Sequence, residues 1–290
     1  MRASVKSFVE LFLLPGMAAL LPWPWCFRLF RRVAASRRLY PEVDWMLRCA
    51  REIGMAQDER EWRSALRLTR IFSFADLYLS MFRSDRWMRK YVDVSGQWPE
   101  GAFLAVTYHW GAGMWALRHL KAQGKRSSFL SIRFDRTMFG NSPVRYWYAL
   151  LRTRETARAG GGVETIFTGG SAGRIASAHK DNICVTALLD VPPKPDQASV
   201  PVLLFGRPAR LRRGLARVAI DEKIPVVMFS MHLDRETGRL KLRIDGPLPA
   251  ANETELMQHM AADFCSALDR DPESWHGWGE VQFYLREAQA

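Results

Sequence analysis

Residues 102–123 read AFLAVTYHWGAGMWALRHLKAQ, and this stretch decides the fold. AFLAVTY is a short apolar run of the kind that forms a strand buried on both faces. Gly111 and Gly113 end it, and MWALRHLKAQ reads as a helix. The alternation continues downstream: SSFLSIR (127–133) is followed by SPVRYWYALLRTRETA (142–157), VETIFT (163–168) by SAGRIASAH (171–179), and NICVTALLD (182–190) by VPVLLF (200–205). After the helix-like LRRGLARVAIDE (211–222) come the apolar strand IPVVMFSMHL (224–233), a turn at Glu236-Thr237-Gly238 and the alternating strand RLKLRID (239–245). Helix-like stretches at 253–268 and 272–285 close the chain. Strands that alternate with helices predict an α/β fold with a mainly parallel central sheet flanked by helices.

Upstream, Trp62, Leu66, Ile71, Phe74, Leu77, Tyr78 and Met81 recur at spacings of three and four, so 41–90 is expected to form an amphipathic helical layer. Residues 8–30, FVELFLLPGMAALLPWPWCFRLF, are apolar except for Glu10 and Arg28. The charge-free part, 11–27, has 17 residues, the lower limit for crossing a hydrocarbon layer, and Pro15, Pro22 and Pro24 interrupt it. Trp23 and Trp25 suit a headgroup boundary, and Arg28, Arg31, Arg32, Arg37 and Arg38 follow at once. The expectation is a membrane anchor, spanning or re-entrant, with the rest of the chain on the cytoplasmic face of the inner membrane; the alternative is a buried core helix. The expected organisation is therefore an anchor with its basic flank at 1–40 and one α/β domain at 41–290, with the helical layer at 41–90 and the core at 91–290.

The 290 residues carry 42 Lys plus Arg against 30 Asp plus Glu, a formal net charge of +12. With 48% hydrophobic and 25% charged residues the composition is that of a globular protein, which excludes disorder, collagen and a multi-span bundle. Residues 1–90 hold 17 cations and 9 acids, so most of the excess lies in the first third, where it suits anionic lipid headgroups or an acidic carrier protein. No helix-turn-helix, zinc-finger or RNA-binding signature accompanies the charge, so nucleic acid is not an expected partner. Cys26, Cys49, Cys184 and Cys265 lie too far apart for a zinc or disulfide framework.

Thr107-Tyr108-His109-Trp110-Gly111-Ala112-Gly113 directly follows the first strand of the α/β core, and strand ends are where open α/β sheets bind ligands. A histidine there, with glycines opening a helix, offers a proton acceptor beside backbone N–H groups that can hold an oxyanion. At these residues the chain resembles the bacterial lipid A late acyltransferases, the lauroyl/myristoyl acyltransferase family of the glycerolipid-acyltransferase-like fold. The resemblance extends over the apolar amino-terminal segment, AVTYHWGAGMWAL, SIRFDRTMFGNSPVRYWYALLR, the strand ending LLD at Asp190, VPVLLFGRPA, IPVVMFSMHLDRETGRLKLRIDGPL and the closing DPESWHGW. It implies transfer of an acyl group from an acyl carrier protein or coenzyme A thioester to a hydroxyl or amine of a lipid or other amphipathic acceptor, with no cofactor beyond that co-substrate.

The family signature is His, four residues, then Asp or Glu, and this chain has Met114 at the acid's place. Asp190, at the end of its strand, is the expected replacement acid, with Asp135 and Asp196 behind it. Arg133, at the end of SSFLSIR, is expected to bind substrate together with Trp110, Gly111, Gly113 and Arg145; Arg152, seven residues after Arg145, lies near the same helix face. Two other readings stand beside this one. The fold can have lost catalysis and kept binding, or GGSAG at 169–173 can be a nucleophile elbow, with Ser171 served by Asp234 and by His259 or His276, against the plainer role of Ser171 as a helix N-cap.

Overall fold

The computed structural model describes residues 2–36, 38–140, 142–194 and 197–285. The chain begins with α1 (Arg2–Phe8), one π-helical turn (Val9–Leu13), α2 (Leu14–Leu20), α3 (Trp23–Ala34), α4 (Glu42–Glu52), α5 (Glu59–Phe82) and α6 (Asp85–Tyr91). The α/β part follows as β1 (Val92–Ser95), β2 (Leu104–Thr107), α7 (Met114–Ala122), β3 (Ser127–Ser131), α8 (Pro143–Ala159), β4 (Ile166–Phe167), α9 (Ala172–Lys180) and β5 (Cys184–Leu188). It ends with β6 (Ser199–Leu204), β7 (Arg207–Arg212), α10 (Gly214–Asp221), β8 (Val226–Leu233), β9 (Leu240–Asp245), α11 (Glu253–Arg270), two 3₁₀ turns and α12 (Val281–Leu285).

Seven strands form one sheet in the order β1-β9-β8-β2-β5-β3-β4, parallel throughout except at the β8–β9 pair, so the sequence-derived α/β class holds. Every residue of β2 is buried, as its unbroken apolar run requires. VPVLLF does not join this sheet. It pairs with Arg207–Arg212 as an antiparallel hairpin that packs on α11 and α12, so the beginning of the helix-like stretch at 211 is the end of a strand. Val92–Ser95, at the sheet edge beside β9, is a strand that the sequence pattern did not single out.

The central helix is α5. Asp58 starts it by accepting hydrogen bonds from the N–H groups of Arg60 (2.8 Å) and Glu61 (2.9 Å), the usual role of an N-cap carboxylate. Fifteen of its 24 residues are buried, because α2, α3, α4, α7 and α8 all pack against it. Burial on several sides takes in polar residues of the helix as well as apolar ones, among them Arg67, Thr69, Ser73, Asp76 and Ser80.

The apolar amino-terminal segment is not a spanning anchor. Leu21 and Pro22 leave the helical conformation and split the 17-residue run between α2 and α3, and among the described residues no helix is long and apolar enough to cross a membrane. Pro22 lacks an N–H and restricts the residue before it, which is why the break falls there. Instead, α2 and α3 lie on α5. Trp23 is 3% exposed, donates its indole N–H to the Gly238 carbonyl at 2.9 Å, and touches the rings of Phe27, Phe30, Phe72, Trp87 and Tyr91. One continuous core runs from Leu14 to Tyr284, so the segment expected to stand apart shares the core of the α/β part. Because Trp23 joins these elements, Trp23→Ala is expected to lower stability by about 3–5 kcal/mol. Chemical denaturation followed by the circular dichroism of the whole chain measures it; an unchanged midpoint means that the segment is an independent appendage.

Candidate active site

Sheet register brings the two principal site residues together. Thr107 of β2 lies opposite Leu188 of the parallel strand β5, so two residues further along each chain His109 and Asp190 leave the same edge side by side. Both carboxylate oxygens of Asp190 accept from the His109 N–H at 2.8 Å, and Oδ1 lies 3.2 Å from His109 Nδ1. The indole of Trp275 donates to Oδ2 at 2.6 Å, and Tyr284 donates its hydroxyl to the Asp190 carbonyl at 2.9 Å. The Asp190 side chain is fully buried, whereas that of His109 is 47% exposed. A carboxylate on Nδ1 selects the tautomer with the proton there, which leaves Nε2 as the free base of the ring.

Electrostatics sharpen this arrangement. Packing around the imidazole disfavours its charged form, but the charge of Asp190 and its hydrogen bonds outweigh that effect and hold the His109 pKa above the ordinary 6.5. Protonation is thus favoured in the folded state. The stability this contributes is complete below pH 6.5 and is lost as the pH rises through the folded value.

The carboxy-terminal segment pins the histidine loop. His276 donates its N–H to the His109 carbonyl at 2.8 Å and Gly111 donates to the Ser274 carbonyl at 3.1 Å, which places Trp110 opposite Trp275 in an isolated antiparallel bridge. Gly111 has φ of +42°, and a Cβ there would meet the Met231 carbonyl oxygen at 2.6 Å, so the close approach requires glycine. The His276 ring is kept neutral by burial and by the charge of Arg70, which push its pKa well below the ordinary value.

The N–H groups of the two glycines are already engaged. Gly111 N–H is committed to Ser274, and the N–H groups of Gly113 and Met114 both bond Asp76 Oδ2 at 2.9 Å. Asp76, on α5 and 1% exposed, thereby caps α7. Burial raises its pKa, with the charge of Arg152 working against the rise. Met114 itself is 3% exposed in an apolar cluster with Leu11, Leu77, Tyr78 and Tyr148, and the carboxylate beside His109 comes from β5 instead.

The remaining sequence candidates disperse. Trp110 is 5% exposed, its ring edge-on to His232 at 5.2 Å. Arg133 is exposed and stacks over Phe167 at 4.3 Å, Arg145 reaches Ser7 Oγ at 3.4 Å, and Arg152 donates to the Ser73 carbonyl at 2.7 Å. None of these arginines has a hydrogen bond to His109. Asp135 caps the 3₁₀ turn Arg136–Phe139, and Asp196 lies outside the described residues. Ser171 stands at the N-cap position of α9 without making a side-chain capping bond. Asp234 is engaged by the N–H groups of Glu236 and Thr237, and His259 by the Pro249 carbonyl, so no Ser-His-Asp chain is assembled among the described residues.

The sequence pattern marked no role for Trp275, Tyr284 or Asp76, and offered His276 only as a partner for Ser171, whereas its N–H holds the His109 carbonyl. The signal for Asp76 was its isolation in the apolar run SFADLYL; a lone acid at a core position needs buried donors. No protein-family model matches the chain, and no curated protein matches its sequence.

Two outcomes follow from the geometry. In an NMR titration, His109 is expected to titrate above 6.5 in the native protein and lower in Asp190→Asn, where the opposing effect of packing is met only by the weaker pull of Glu280; equal midpoints would remove Asp190 as the cause. Met114→Glu, which places an acid in the apolar cluster, is expected to destabilise the protein by on the order of 3 kcal/mol in a denaturation experiment rather than to improve the site.

Proposed function

We propose that the protein is a membrane-associated acyltransferase that moves an acyl group from an acyl carrier protein or coenzyme A thioester to a hydroxyl or amine of a lipid or amphipathic acceptor, working at the cytoplasmic face of the inner membrane. The observation that carries this reading is the half-exposed His109 whose Nδ1 faces the buried Asp190. The acceptor hydroxyl attacks the thioester carbonyl as its proton passes to His109 Nε2. The tetrahedral intermediate then collapses with cleavage of the C–S bond, and the thiolate departs carrying the electron pair. A thiol of pKa near 8.5 leaves without acid assistance, so one positioned base serves the reaction. With Gly111 and Gly113 committed, stabilisation of the oxyanion falls to other groups; Arg70 and Arg152, whose charges act on His276, supply positive potential at this corner.

Membrane association is supported by the outer faces of the amino-terminal helices. Val5, Phe8, Leu13, Leu20 and Trp25 are exposed there, next in sequence to the exposed cations Arg28, Arg31 and Arg32. Apolar and aromatic side chains beside arginines suit a segment lying in the headgroup layer rather than one crossing it.

The test is release of free thiol from acyl-coenzyme A or acyl-carrier thioesters by the purified protein with a long-chain alcohol or lysolipid acceptor. His109→Ala is expected to slow turnover by about 10²–10⁴-fold and Asp190→Asn to slow it substantially, while Ser171→Ala leaves it unchanged. Equal background rates for native protein and His109→Ala would favour a binding protein on this fold, and loss confined to Ser171→Ala would favour a hydrolase.

A further inference from the structure

Beyond Trp110 lies an open cleft of about 1100 Å³, bounded by α3 on one side and by the β8–β9 hairpin with the end of α11 on the other. Seven of its lining side chains are cationic and four acidic, and six of the seven cations are arginines. The hairpin side is internally balanced: Lys241 pairs with Asp234 at 3.5 Å, Arg243 with Asp263 at 3.1 Å, and Arg235 with Glu273 at 3.2 Å. The other cations are not. Arg28, Arg31 and Arg32 are exposed and have no hydrogen bond or ion pair among the described residues, and Arg270 across the cleft bonds only the Ser266 hydroxyl, at 2.8 Å.

We propose that this cleft is a binding site for a phosphate-bearing group. Four guanidinium groups without an ion pair face one concavity in which the unpaired acids Glu61 and Glu236 offset only part of their charge, and an anion between them relieves the repulsion that remains. Guanidinium forks match phosphate oxygens two at a time, and a phosphate of charge near −2 accepts from several of them at once. The volume exceeds what a lone phosphate fills and is at the upper end of that of small-molecule sites, so the ligand is a phosphate or diphosphate attached to a larger body. Position adds to the argument. His232, on the cleft wall at the end of β8, meets the ring of Trp110, the residue after His109, so the site shares the sheet edge of the candidate base. Ligand phosphate from a soluble nucleotide-type carrier and phosphate from a lipid headgroup present the same chemistry here.

Calorimetric titration of the full chain with inorganic pyrophosphate, and co-flotation with phosphatidylcholine vesicles with and without phosphatidic acid, separate those sources. Pyrophosphate is expected to bind with an affinity that falls as salt is raised, and the Arg31→Gln/Arg32→Gln pair and Arg270→Gln are each expected to weaken it about tenfold or more. A phosphatidic-acid-dependent flotation lost in the same variants, without pyrophosphate binding, assigns the site to a headgroup and supports it equally. Arg217→Gln, on the exposed face of α10 where it pairs only with Asp221, controls for net charge. His109→Ala is expected to bind as the native chain does, so failure of the thioester reaction and failure of this site are distinguishable. The proposal is overturned if neither probe binds, or if Arg217→Gln weakens binding as much as the cleft variants do.

Discussion

The buried carboxylate of Asp190 is the interaction on which the site depends. It accepts from the His109 backbone, faces the His109 imidazole and accepts from the Trp275 indole, so one side chain joins the ends of β2 and β5 to the carboxy-terminal segment. A fully buried charge is tolerated only when its lone pairs are satisfied, and here three separate donors provide that. The same requirement orders the histidine loop: the 3₁₀ segment that carries Trp275 also supplies the Ser274 carbonyl and the His276 N–H that hold Gly111 and His109. Removing the carboxylate would therefore loosen the loop as well as change the charge of its ring.

A second buried carboxylate works at the opposite end of the turn. Asp76 reaches from α5 to the first N–H groups of α7, where an anion satisfies helix donors and favours the dipole. The glycine turn is thus clamped at both ends, by Ser274 at Gly111 and by Asp76 at Gly113. The N–H groups of Gly111, Gly113 and Met114 hold the loop in shape and are not free for a ligand.

The positive charge has a location as well as a total. Part of it sits on α3, whose other face is buried through Trp23, Phe27 and Phe30 in the common core. An amphipathic helix fixed in this way cannot detach and carry its arginines elsewhere. It holds Arg28, Arg31 and Arg32 against the β8–β9 hairpin, and the cleft between them exists because the amino-terminal segment is part of the fold. An apolar run with a basic flank suggested a membrane crossing; packing made it a wall.

The sequence by itself determined the sheet and the histidine. Apolar strands of four to eight residues separated by glycine turns and helical spacings have few compact solutions, and a strand ending in Tyr108-His109 delivers the imidazole to the ligand-binding edge whatever surrounds it. It also marked Asp190, because that acid ends a buried strand. What it did not determine are the pairings between distant parts: the partner of His109 in preference to Asp135 or Asp196, the departure of VPVLLF into its own hairpin, the capture of the glycine N–H groups by Asp76 and Ser274, and the docking of α3. Each of these is set by register, by packing or by the demand of one buried polar group for another, and apart from the local hairpin the contacts join residues 37 to 215 positions apart. Local pattern records which face of an element is apolar; only the folded chain decides what that face meets.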